Sequence, residues 1–201
     1  MAALIKAKGG YHMRGSLIYV MGPSGVGKDT LLEIAKVKFA GIIGIEFVKR
    51  YITRQVDLGG EDFTPVSQAS FDYLEANNCF FFSWRSHGLS YGCDRQIAKH
   101  LAKGQIVVIN GSRVYLQKAM ALVPSLKPVL ITAKSEILAA RLKNRGRESV
   151  DEQSERLSQS DYEFKRLPNI YIIDNSGELG IAAGLFCAYL GKELENTISS
   201  Y

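Results

Sequence analysis

The chain has 201 residues, 46% of them apolar, which is enough for one domain with a full hydrophobic core and no need of stapling by metal or disulfide. Its 25 basic and 20 acidic side chains leave a net charge of +5, which suits an anionic partner without choosing between nucleic acid and small phosphates. Cys79, Cys93 and Cys187 are too scattered for a disulfide framework or a zinc motif, and no apolar run approaches the ~20 residues that span a bilayer. A soluble, cytoplasmic protein is expected.

Residues 1–15 carry Lys6, Lys8 and Arg14 without an apolar h-region, so they read as a disordered N-terminal extension and not as a secretory signal. Ser16 to Met21 is a branched apolar strand that runs directly into a glycine-rich turn. From Asp29 to Phe39 the apolar residues fall at helical spacing. Glu46 to Ile52 reads as one strand, and a Gly/Asp-rich loop over 57–64 leads to a helix capped by Ser67, with Phe71 and Leu74 facing inward. Cys79 to Trp84 and Leu89 to Tyr91 read as strands joined at His87-Gly88, where His87 is a turn residue.

A helix over 97–103 ends at Gly104, and the uninterrupted apolar run Gln105 to Ile109 is a strand buried on both faces. A helix over 114–122, a strand over 128–132 and a Ser135-capped helix over 136–143 follow. The spacing then gives a polar helix over 151–165, a strand over 170–173 and a last helix over 179–195. This alternation predicts an α/β fold, a mostly parallel five-stranded sheet with flanking helices. One domain over 16–195 is expected, with a small acceptor-binding lobe over 53–92 and an arginine-rich lid over 144–156.

Gly22-Pro23-Ser24-Gly25-Val26-Gly27-Lys28-Asp29-Thr30 carries the Walker A spacing of a P-loop NTPase through Gly22, Gly27 and Lys28. Backbone N–H groups of such a loop curl around phosphate oxygens, and the following helix adds its positive end. Lys28 then reaches the β- and γ-phosphates as a point charge, which makes ATP with Mg²⁺ the expected ligand. Asp29 stands where a hydroxyl residue normally meets the metal. Its carboxylate suits Mg²⁺, directly or through water, and equally suits a helix N-terminus by charge alone.

Arg141, Arg145 and Arg156 flank a hinge at Gly146. Phosphoryl transfer depends on positioning and on neutralising charge at the moving group, and guanidinium groups on a closing lid supply both while excluding water. Arg147 fits this role or a solvated face equally well.

The loop Gly-Pro-Ser-Gly-Val-Gly-Lys, the Thr53-Arg54 pair, Asp62-Phe63, Val66-Ser67, Tyr91-Gly92 and Arg-Leu-x-x-x-Arg-Gly-Arg resemble the guanylate kinase family over Leu17 to Leu190. Tyr-Ile-Thr-Arg, Gly-Leu-Ser-Tyr-Gly, Val-Val-Ile-Asn-Gly-Ser-Arg and Asn-Arg-Gly-Arg-Glu resemble one branch, the ribose 1,5-bisphosphate phosphokinases. That resemblance implies ATP-dependent phosphorylation of the 1-phosphate of ribose 1,5-bisphosphate, giving 5-phosphoribosyl 1-diphosphate and ADP, in phosphonate breakdown.

Departures from guanylate kinases point the same way. Ser83 stands where those enzymes read guanine with Glu, Asp57 replaces a second phosphate-binding Arg, Phe63 replaces a Tyr, Cys93 a Thr, and Asn110 an Asp. A purine edge left unpaired in a buried pocket is costly, so GMP is a poor acceptor. The resemblance assigns Arg54 to one acceptor phosphate, and Arg113 or Arg50 is available for the other. Tyr91 either donates to a phosphate or sugar oxygen or packs as a strand tyrosine. A phosphate dianion attacks unaided, so no catalytic base is required. A small-molecule sugar phosphate is the expected partner, with no nucleic acid and no membrane, for a monomer or homodimer. A nucleoside monophosphate kinase of altered specificity and a non-catalytic binding module are the rival readings.

Overall fold

The computed structural model describes residues 14–55, 61–145, 167 and 169–198. In chain order the elements are β1 (Leu17–Met21), α1 (Lys28–Lys38), β2 (Ile45–Phe47), β3 (Arg50–Ile52), β4 (Thr64–Pro65), α2 (Gln68–Ala76), β5 (Phe80–Ser86) and β6 (Leu89–Asp94). Then come α3 (Ile97–Ala102), β7 (Ile106–Asn110), α4 (Leu116–Leu122), β8 (Leu126–Thr132), α5 (Ser135–Arg145), β9 (Tyr171–Asp174) and a long C-terminal helix, α6 (Leu179–Ile198).

Five parallel strands form the main sheet in the order β2-β7-β1-β8-β9, which puts β1 at its centre. Every residue of β1 is buried, as a strand covered on both faces requires. The two-residue period of the strand divides them between two cores. Ile18 and Val20 pack with Leu31 and Ala35 of α1 and with Phe186 and Leu190 of α6. Leu17, Tyr19 and Met21 face Ile97, Leu101, Leu116, Phe82 and Trp84. The expected strands and helices of this layer are present within a few residues of their predicted ends.

A second, four-stranded sheet in the order β4-β3-β6-β5 makes the lobe. Its hairpin turns at His87 and Gly88, both at positive φ (49° and 70°), so His87 is a turn residue as expected. Ser67 caps α2 by accepting a hydrogen bond from the Ser70 N–H at 3.0 Å. Phe82, Trp84 and Cys93 turn the inner face of this sheet onto the core shared with β1.

Two expectations of this region are corrected. Glu46 to Ile52 is two strands in two sheets and not one. Ile45 to Phe47 pairs with β7, and Val48 makes the last bond, N–H to the Val108 carbonyl at 3.0 Å. The chain then crosses to the lobe, where Arg50 to Ile52 pairs antiparallel with β6. Lys49-Arg50 interrupts the apolar pattern at the crossing, but two polar residues in a row do not by themselves mark a change of sheet. The lobe's β-structure accordingly starts at Arg50 and runs to Asp94. Gly15, assigned by the sequence to the N-terminal extension, instead donates its N–H to the Leu101 carbonyl at 2.9 Å; residues 1–13 lie outside the described residues. The polar helix expected over 151–165 also lies outside them. No helix among the described residues is long and apolar enough to cross a membrane.

Candidate active site

The turn from Gly22 to Gly27 leaves the C-terminal end of β1, the central strand, where an open parallel sheet forms its ligand crevice. Gly27 is the N-cap of α1 in the left-handed region, φ 96°, and a Cβ there would lie 2.5 Å from Nδ2 of Asn175. Val26 anchors the loop in the core, and Asn175, at the end of β9, donates from Nδ2 to the Val26 carbonyl at 2.8 Å. Lys28 folds its ammonium back over the loop and donates to the Gly22 and Pro23 carbonyls, both at 2.9 Å. Burial lowers Lys28 to a pKa of about 8; Asp29 opposes this fall, while Arg50 and Arg113 add to it. These two arginines therefore stand within Coulombic reach of the P-loop.

Asp29 follows at the first turn of α1 and accepts from Nδ2 of Asn110 at 2.9 Å. A carboxylate only accepts, so the amide nitrogen faces it and Oδ1 of Asn110 is turned away, buried and without a hydrogen bond. Asp29 and Asn110 line a cleft with Lys36, Lys49, Glu61 and Asp62. Among the described residues no three acidic, His or Cys side chains gather as a metal cage. A single oriented carboxylate beside a phosphate site is the donor set Mg²⁺ commonly takes, since it keeps waters and phosphate oxygens for its other positions. Thr30 is exposed.

The arginine segment begins on α5, which is docked on the P-loop: a Cβ on Gly25 would meet Leu142 at 3.0 Å. Arg141 donates to the Asn175 carbonyl at 2.9 Å and to that of Val26 at 3.4 Å. Arg145 closes α5, and Arg147, Arg156 and most of the expected lid lie outside the described residues, as does Asp57.

On the lobe side, Arg54 spreads its guanidinium over Phe63, 4.5 Å from the ring centroid, and its Nε is buried without a hydrogen-bond partner. Arg50 is buried, forms a two-point salt bridge with Glu61, and lies 5.0 Å over Tyr91 and 5.7 Å over Trp84. Its positive charge is thus already matched by Glu61. Tyr91 and Trp84 stack at 5.4 Å with their planes 5° apart. Cys93, beneath them, is buried and pushed up to about 12, so it stays an inert thiol. Arg113 sits in the loop between β7 and α4.

Ser83 is placed apart from this group. It neighbours Trp84 on β5, so its side chain points to the other face of the sheet, where it hydrogen-bonds Glu75 of α2. The structure therefore brings together Lys28, Asp29, Arg50, Arg113 and Tyr91, and leaves Ser83 outside. Sequence reasoning missed Glu61, Asn175 and Tyr19. Their roles arise from contacts far apart in the chain, and none carries a motif.

The P-loop, the central parallel sheet and the lobe define a kinase of the guanylate kinase fold. Solved structures agree on that fold. The guanylate kinase of Anaplasma phagocytophilum superimposes with a TM-score of 0.65 at 18% identity, covering 90% of this chain and 86% of its own. A gluconokinase of Sinorhizobium meliloti gives 0.51 at 19% identity, covering 94% and 98%.

Sequence relatives narrow the class. The ribose 1,5-bisphosphate phosphokinase PhnN of Chromobacterium violaceum is 43% identical over 176 residues, covering 88% of this chain and 94% of the relative. That of Thiobacillus denitrificans is 42% identical over 168 residues, 84% and 88%. That of Laribacter hongkongensis is 44% identical over 186 residues, 92% of this chain but 45% of the relative, so the chain spans about half the length of that protein. No protein-family model matches the chain. The chain belongs to the PhnN family of ribose 1,5-bisphosphate phosphokinases.

Proposed function

We propose that the chain transfers the γ-phosphoryl group of ATP to the 1-phosphate of ribose 1,5-bisphosphate, giving 5-phosphoribosyl 1-diphosphate and ADP. An oxygen of the 1-phosphate attacks the γ-phosphorus, and the bond from that phosphorus to the β-phosphate oxygen breaks. The dianionic phosphate is its own nucleophile near neutral pH. P-loop amides and Lys28 bind the triphosphate, with Arg141, Arg145 and Arg156 neutralising charge as it moves. Arg54 and Arg113 hold the acceptor phosphates, and Tyr91 borders them. Asp29, oriented by Asn110, would hold Mg²⁺, which supplies charge neutralisation between the phosphates. Three free cysteines suit action in the reducing cytoplasm.

The observation that carries the acceptor assignment is the Arg54 guanidinium, braced on Phe63 with a buried Nε that makes no hydrogen bond. Such a donor is costly unless an anion arrives to accept from it. The Arg50–Glu61 pair points the same way, since it fills the aromatic floor of Tyr91 and Trp84 on which a planar base would otherwise stack.

A coupled ATP assay with Mg²⁺ tests this, comparing ribose 1,5-bisphosphate with GMP, AMP and UMP. Turnover confined to the sugar bisphosphate, with phosphoribosyl diphosphate as product, is expected. Turnover with a nucleoside monophosphate in its place overturns the acceptor assignment. ATP consumption without any phosphorylated acceptor overturns the reaction class.

A further inference from the structure

The loop that carries Arg113 is fixed by a side chain from the central strand. Tyr19 is fully buried in β1 on the face turned toward the lobe. Its hydroxyl donates to the Ser112 carbonyl at 2.9 Å and accepts from the Ser112 N–H at 2.8 Å. One side-chain oxygen thus satisfies both backbone polar groups of Ser112, as a neighbouring strand would within a sheet.

Gly111 makes the approach possible. A Cβ there would lie 2.1 Å from Cε1 and 2.3 Å from Cζ of Tyr19. The loop is tied at both ends as well, by the Gly111 N–H to the Val20 carbonyl at 2.7 Å and the Tyr115 N–H to the Ser112 carbonyl at 3.2 Å. Only a neutral phenol can donate and accept at once, and burial raises the Tyr19 hydroxyl well above its ordinary range. The phenol therefore stays neutral, and the clamp intact, through the pH range in which an ordinary tyrosine ionises.

Packing does not require that hydroxyl. The neighbours of Tyr19 on its face, Leu17 and Met21, are apolar, and a Phe would occupy nearly the same volume. What the oxygen adds is the position of Ser112, and with it the position of the next residue, Arg113. Arg113 lies close enough to Lys28 for its charge to bear on the P-loop ammonium, at the junction of the two proposed phosphate sites.

We propose that Tyr19 is a positioning residue for the acceptor: by clamping the Ser112 backbone it sets Arg113 against the acceptor phosphate. This rests on the reading that Arg113 binds that phosphate. The P-loop backbone is held by Asn175 and Arg141 instead, so the larger effect falls on the acceptor.

The test is a cycle of Tyr19→Phe, Arg113→Ala and the double variant, read by initial rates and by calorimetric binding of ribose 1,5-bisphosphate without nucleotide. Tyr19→Phe is expected to raise the KM and Kd for the acceptor roughly tenfold, as loss of the clamp's hydrogen bonds implies. The KM for ATP is expected to stay within about twofold, because a merely structural loss would affect both substrates. On the Arg113→Ala background, Tyr19→Phe is expected to add little, since both act through one guanidinium. Fully additive effects, or a Tyr19→Phe protein that loses both substrates equally, overturn the positioning role while leaving Arg113 in place. An Arg113→Ala protein with unchanged acceptor affinity overturns the underlying assignment, and the role of Tyr19 with it.

Discussion

The two halves of the site are built on opposite principles. On the nucleotide side a nine-residue stretch, Gly22 to Thr30, does most of the work from consecutive positions. Its lysine satisfies itself on carbonyls of its own loop, and Asn175 and Arg141 brace the loop from outside. On the acceptor side almost nothing is consecutive. Arg50 meets Glu61 and Tyr19 meets Ser112 across 93 positions of sequence. The first half is a motif held in place by a fold. The second half is the fold itself, expressed as pairs of side chains. Damage to the first should therefore abolish chemistry with little loss of stability, and damage to the second should cost stability, affinity or both.

The sharpest form of that contrast is Lys28→Met. Turnover should fall by at least about a thousandfold, since the variant loses a preorganised charge at the phosphates. The fold should persist, because an apolar side chain replaces a partly buried ammonium. Comparing the stability of the two proteins across pH adds a second reading. Burial lowers Lys28 from 10.5 to about 8, so between those values the unfolded chain still binds a proton that the folded chain has released. Stability of the parent should therefore rise relative to Lys28→Met as pH climbs from about 8 to 10.5, and the difference should be flat below 8. Urea unfolding at intervals across that window measures it. A variant that keeps near-normal turnover would remove the P-loop from the mechanism.

An intermediate effect is expected from Glu61→Ala. It strands the buried Arg50 guanidinium over Tyr91 and Trp84 with no counter-charge. A loss of about 3 kcal/mol is expected, because breaking one side of a buried pair costs more than the pair is worth. Arg50→Met/Glu61→Leu, which removes both charges, should recover much of it. If the single variant is as stable as the parent, the pair is better solvated than its burial indicates, and it does not close the aromatic floor of the lobe.

This pair also shows where the sequence was legible. The P-loop, the parallel core and the hairpin at His87-Gly88 were all readable because their constraints are local: glycine spacing, apolar runs, a turn dipeptide. Arg50 was named only as an alternative to Arg113 for an acceptor phosphate. Nothing in the chain marks Glu61, eleven positions on, as its partner. The same blindness made Glu46 to Ile52 one strand, since the Lys49-Arg50 pair at the passage does not reveal that its two sides belong to different sheets. Ser83 was assigned to the pocket through the resemblance, and the pleat of β5 turned it toward Glu75 instead.

The weakest effect should come from Asp62, which joins the two halves. It bridges Lys36 on α1 at 2.7 Å and Lys49, at the crossing between the sheets, at 2.8 Å. Its side chain is 41% exposed, so solvent and salt screen both pairs. Asp62→Asn should cost only about 0.5 kcal/mol near neutral pH. Hydrogen bonds from the two lysines hold the Asp62 carboxyl below its ordinary 3.8, so the folded state keeps the charged form more readily than the unfolded chain does. That contribution is complete above the ordinary value and disappears as pH falls through the folded one, so parent and variant should converge in acid. Raising ionic strength at pH 7 should narrow the same gap. A difference of several kcal/mol, insensitive to salt, would instead mean that α1 and the lobe are coupled far more tightly than two exposed ion pairs allow. The nucleotide and acceptor halves would then respond to mutation as one unit.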